Sequence, residues 1–125
     1  MSDSLFANEN LIFLLLHIVG SFVMLSLPLT LYRNPPTKIN PFYGFRTAAA
    51  KRNQDTWTVA NNYFNTNITR LSIATVLLQI PLFFLLPLPY GLLVSLIIWG
   101  IGLVMLFFLT QNHLHQIFDE QGNRK

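Results

Sequence analysis

The chain has 125 residues, no cysteine and a formal net charge of +3, with 52% apolar and only 10% charged residues. An average soluble domain carries about 25% charged residues, so this composition excludes an ordinary water-soluble domain and, being the reverse of its signature, a disordered chain. The lack of cysteine removes a disulfide framework, a thiolate metal site and a cysteine nucleophile.

Three apolar blocks, at about 11–31, 69–88 and 92–110, are long enough to cross a bilayer, which takes roughly 17–25 helical residues. Backbone polar groups in lipid need internal partners, so each block is read as a helix; the short alternating segments of a β-barrel are missing. Asp3 and Glu9 precede the first block and no Lys or Arg does, unlike a signal peptide. The expected fold is therefore all-α, a single membrane domain over 1–125 with three transmembrane helices.

Within the first block His17 is an ionisable side chain, and such residues are functional candidates by default. Ser21 and Met24 share its helical face. Gln79 is the notable polar residue of the second block. Packing across helices is the plainer role for His17 and Gln79, through a bond from His17 to Gln79 or Ser72; a polar path is the sharper one.

The loop 33–67 is the one long polar stretch. Asn34-Pro35-Pro36 ends the first helix. Phe42, Tyr43 and Phe45 followed by Arg46 suit the headgroup layer, with Arg46 able to bind a phosphate or helix-end carbonyls through its planar fork. From about 54 to 66 a helical pattern returns, with Asn53 as N-cap and Trp57, Ala60 and Phe64 on one face. It reads as a short cytoplasmic interfacial helix anchored by Trp57, either a plain anchor or a recognition surface.

The third block carries Gly91 and Ser95 at a small-xxx-small spacing, then Gly100 and Gly102. Such residues allow close helix contact, within the bundle or between copies in a homo-oligomer. His113 and His115 are two apart, which puts them on different sides of a helix, so no metal site is expected there. No Gly-rich phosphate loop and no paired carboxylates within a span are visible, so no catalytic, cofactor-binding or metal-binding residue and no enzyme activity is expected.

All eight basic residues lie in two places: Arg33, Lys38, Arg46, Lys51, Arg52 and Arg70 between the first two spans, and Arg124 and Lys125 at the end. The positive-inside rule puts the loop and the C-terminus in the cytoplasm and the N-terminus outside. The same residues account for the pI near 9.6 by facing anionic membrane lipids, with no need of nucleic acid.

Asn40-Pro41-Phe42-Tyr43-Gly44-Phe45-Arg46-Thr47, followed by Trp57 and Ala60-Asn61, resembles the signature of the SdpI family. The ending Phe118-Asp119-Glu120-Gln121-Gly122-Asn123-Arg124 also looks like that family's. These are small bacterial inner-membrane proteins named for an immunity protein against a secreted peptide toxin. The resemblance implies toxin immunity and signalling through sequestration of a small cytoplasmic repressor. It marks Asn40, Tyr43, Gly44, Arg46, Thr47, Trp57 and Asn61 as the binding or functional signature. A small oligomeric transporter or channel-like protein, using His17 and Gln79, is the alternative.

Overall fold

The computed structural model of the chain describes residues 2–87 and 89–125, and side chains from Asn8 onward apart from Leu88. It contains three helices, α1 (Ser2–Arg33), α2 (Gln54–Leu85) and α3 (Tyr90–Ile117). All three are long and apolar enough to span a membrane, α1 through its part Asn8–Arg33. Among the described residues there is no strand, only an isolated antiparallel bridge between Phe118 and Arg124. The all-α class and the three spans agree with the sequence.

The α2 helix corrects the predicted short interfacial helix. Its 32 residues run unbroken from Gln54, about 48 Å at 1.5 Å per residue, against a hydrocarbon core about 30 Å thick. The pattern at 54–66 is therefore the first half of the second span's own helix. Nothing at 66–71 stops it: the stretch has no Gly or Pro. Asn67 Nδ2 and Thr69 Oγ1 turn back onto the Tyr63 and Asn65 carbonyls at 2.8 Å. Ile68 is fully buried with Leu31 and Leu106, which pins all three helices together at this level.

Asn53 caps α2 as expected. Its Oδ1 accepts from Asp55 N and Thr56 N, at 3.0 and 2.9 Å, and Thr56 Oγ1 accepts from Asn53 N at 3.1 Å, closing a reciprocal box.

The α3 helix also outruns its predicted span, continuing past residue 110 to Ile117. The polar first half of α2 and the end of α3 thus stand together beyond the apolar spans. The loop 34–53 and the tail 118–125 fold against them into a headpiece whose core is Phe45, Ala49, Ala50, Ala60, Leu114 and Phe118. The apolar face of 54–66 is spent inside the headpiece: Ala60 and Phe64 pack in this core, and Trp57 is fully buried beside the loop. Trp57 is thus an internal strut, where the sequence suggested a lipid anchor.

α2 packs mainly on α3, and α1 mainly on α2. Gly91 and Gly102 mark the close approaches of α3 to α2. A Cβ on Gly91 would sit 2.9 Å from Leu82 O, and one on Gly102 would meet the Leu71 side chain at 2.5 Å. With Ser95 fully buried, most of the small-residue face serves contacts within the bundle.

Candidate functional site

The headpiece loop is folded by side chains of α2. Asn61 is central. Its Oδ1 accepts from Phe45 N at 2.6 Å, and its Nδ2 donates to Phe45 O at 3.3 Å and to Trp57 O at 3.0 Å. Trp57 Nε1 donates to Pro36 O at 2.6 Å, and Gln54 Nε2 to Thr37 O, also at 2.6 Å. One helix face therefore satisfies backbone groups that a buried loop would otherwise leave unpaired.

Gly44 stands where only glycine fits. Its φ is +101°, and a Cβ there would lie 2.6 Å from Asn61 Oδ1 and 2.9 Å from Pro36 Cγ. Just before it, Asn40 Oδ1 accepts from Phe42 N and Tyr43 N, both at 3.0 Å, which turns the chain. The Arg46 guanidinium donates back to Pro41 O and braces the same turn. Thr47 Oγ1 donates to Gln111 Oε1 of α3 at 2.9 Å and accepts from Ala50 N at 3.3 Å.

The signature thus divides by position. Gly44, Trp57 and Asn61 hold the loop from within. Asn40 and Thr47 shape its bends. Phe42 and Tyr43 point outward, 84% and 43% exposed, beside the exposed Arg46. Beneath Gly44–Thr47 a groove of about 430 Å³ opens between the helices, with Leu27, Phe64, Ile68, Leu103 and Phe107 on its walls.

The tail closes the other side. Arg124 pairs with Asp55 through two bonds of 2.7 and 2.8 Å and lies over the Phe118 ring. Asn53 Nδ2 donates to Gly122 O at 2.8 Å, and Arg52 donates to Asp119 O at 3.2 Å. The hydrogen bond from Arg124 holds the Asp55 carboxyl below the usual range. That of Asp119 is lowered as well, chiefly by the Asn123 backbone N–H. Sequence reasoning missed this docking and the part of Gln111, because the partners are far apart along the chain. The opposite charges of Asp55 and Arg124 were the available signal.

The span residues are arranged differently from expectation. His17 is 6% exposed, with Nδ1 2.8 Å from Phe13 O and its ring edge-on to Phe83. Nδ1, facing a carbonyl, is the donor of that bond, and Nε2 is on the other side of the ring. This Nε2 is buried without a partner among the described residues. The cross-helix bond to Gln79 comes from Ser21, whose Oγ lies 2.8 Å from Gln79 Oε1, and Ser72 receives Trp99 Nε1 at 2.9 Å. His17 therefore bonds neither predicted partner. His113 stacks on Tyr63 at 4.2 Å, while His115 is exposed, so the two histidines do diverge.

The model of the SdpI/YfhL protein family matches residues 37–110, from the signature loop through the third span. The chain belongs to the SdpI/YfhL protein family. Among curated proteins and solved structures, none matches it. The matched region holds every interior strut of the SdpI loop, whereas the docked tail lies beyond it.

Proposed function

We propose that this SdpI-family membrane protein acts by binding, not by chemistry, and confers immunity to a secreted peptide toxin, signals through a cytoplasmic partner such as a small repressor, or does both. The supporting observation is the rigid loop that presents Phe42, Tyr43 and Arg46 outward while Asn61, Trp57 and Gly44 fix it from within. Exposed aromatics and arginine on a preorganised surface are the residue types of binding hot spots.

The positive-inside distribution puts this surface, with the C-terminus, in the cytoplasm of a bacterium and the N-terminus outside. A toxin that arrives from outside would then reach the protein within the bilayer, and the headpiece would report the encounter inward. Survival of expressing cells under toxin challenge tests this reading. Protection that is absent in cells with abundant membrane-inserted protein would contradict it.

A small oligomeric transporter is the second reading. It rests on the cavity of about 400 Å³ lined by His17, Ser21, Gln79 and Phe83. Solute uptake into proteoliposomes, abolished by His17→Ala, would favour it over binding.

A further inference from the structure

Arg70 stands at the point on α2 where polar sequence gives way to apolar, directly before the run that begins at Leu71. On α1 the same transition falls at Leu31-Tyr32-Arg33, and Leu31 packs with Ile68, so the two transitions lie at one level. In a bilayer that level is the phosphate layer on the loop side. Among the described residues Arg70 has no hydrogen bond and no ion pair, although it is exposed on a span. An arginine at such a depth needs an anion or water for its five donors.

A cavity of about 380 Å³ opens beside it between α1 and α2. Tyr32 and Arg70 flank it, and Asn62, Asn65, Thr66 and Thr69 form one face of α2 along it. Thr69 spends its hydroxyl on the Asn65 carbonyl. Thr66, Asn62 and Tyr32 make no side-chain bond among the described residues. Asn65 Oδ1 is buried and has no partner among the described residues. The site thus offers a cation, free hydroxyl and amide donors, and one buried acceptor that awaits a donor.

We propose that this cavity binds one phospholipid headgroup that carries a hydrogen-bond donor beyond its phosphate, with the phosphate on Arg70 and the donor on Asn65 Oδ1. Charge complementarity fixes the first contact, and the unpaired acceptor fixes the second. A choline headgroup fits the first and fails the second, since it has no N–H or O–H. Phosphatidylglycerol, with two hydroxyls, meets both. Simple snorkelling of Arg70 to water would leave lipid discrimination unaltered by either residue.

The test is native mass spectrometry of the full chain in detergent, with phosphatidylglycerol or phosphatidylcholine added, for the parent, Arg70→Gln, Asn65→Ala and Arg33→Gln. The expected result is one phosphatidylglycerol bound about tenfold more tightly than phosphatidylcholine. Arg70→Gln should weaken phosphatidylglycerol by a similar factor. Asn65→Ala, which keeps the charge, should reduce the preference between the two lipids to the part that phosphatidylglycerol's net negative charge supports. Arg33→Gln, which removes a neighbouring charge outside the cavity, should leave binding intact, and excess inorganic phosphate should not displace the lipid. Equal affinity of the parent for both lipids, equal loss in Arg33→Gln and Arg70→Gln, or displacement by inorganic phosphate would overturn the proposal.

Discussion

The Asn61 side chain holds both backbone polar groups of Phe45, accepting from its N–H at 2.6 Å and donating to its C=O at 3.3 Å. One amide thereby takes the place of a strand partner for a buried stretch of loop. Asn61→Leu leaves both groups of Phe45 buried and unpaired, at about 1–3 kcal/mol each. The expected destabilisation is roughly 2–6 kcal/mol, and Asn61→Asp, which turns a second oxygen toward the Phe45 and Trp57 carbonyls and buries a carboxylate, should not rescue it. Thermal unfolding in detergent, together with hydrogen exchange at the Phe45 amide, reads both. Unchanged protection of that amide in Asn61→Leu would refute the pairing.

Gly44 makes a second, independent demand on the same place. Gly44→Ala needs a side chain at φ +101° and brings its Cβ to 2.6 Å from Asn61 Oδ1. Strained backbone alone costs on the order of 1–3 kcal/mol. Gly100→Ala, with nothing within 4 Å of the added Cβ, should be neutral or slightly stabilising in its helix. A melting comparison of the two variants checks the difference.

Docking of the tail should depend on pH. The carboxyls of Asp55 and Asp119 are both lowered in the folded protein, by Arg124 and by the Asn123 backbone respectively. A lowered acid stabilises the fold above its unfolded value, about 4, and that stabilisation is lost as pH falls through the lower folded value. Protection of the Gly122 and Lys125 amides from hydrogen exchange, relative to an unstructured chain at the same pH, should therefore fall as the pH drops below about 4, and high salt should act in the same direction at neutral pH because the Arg124–Asp55 pair is exposed. Asp55→Asn should show the reduced protection already at neutral pH.

Orientation can be read with reporter fusions. A reporter active only in the cytoplasm should give signal when fused after Lys125 and none when fused ahead of Met1, given the eight-to-zero division of basic residues. The opposite pattern would put the headpiece outside and remove the cytoplasmic partner.

Length, hydropathy and proline placement made the three spans and the end of α1 legible, and Asn53 was legible as a cap from its place before Asp55 and a helical pattern. The unbroken α2 was not, because the change from polar to apolar near Arg70 resembles a boundary between elements. Helical hydrogen bonding is indifferent to that change when no Gly or Pro intervenes. The signature residues were visible, yet their separation into struts and exposed surface was not. Phe45 meets Asn61 across 16 positions, Thr47 meets Gln111 across 64, and Asp55 meets Arg124 across 69. Such contacts leave no periodic trace in a sequence. The His17 expectation failed because its predicted partners are engaged elsewhere: Gln79 by Ser21 and Met24, and Ser72 by Trp99.

The central claim is that the exposed loop surface carries the function and the span interior carries packing. It is tested most directly by survival of toxin-challenged cells that express, at matched membrane abundance, the parent, Phe42→Ala/Tyr43→Ala, Arg46→Lys or His17→Ala. The account predicts that the double loop variant loses protection, although both side chains are exposed and their removal leaves the interior struts intact. Arg46→Lys, which keeps the charge and loses the planar fork, should lose part of it, and His17→Ala should keep most of it. Full protection in the loop variants with complete loss in His17→Ala would contradict the account.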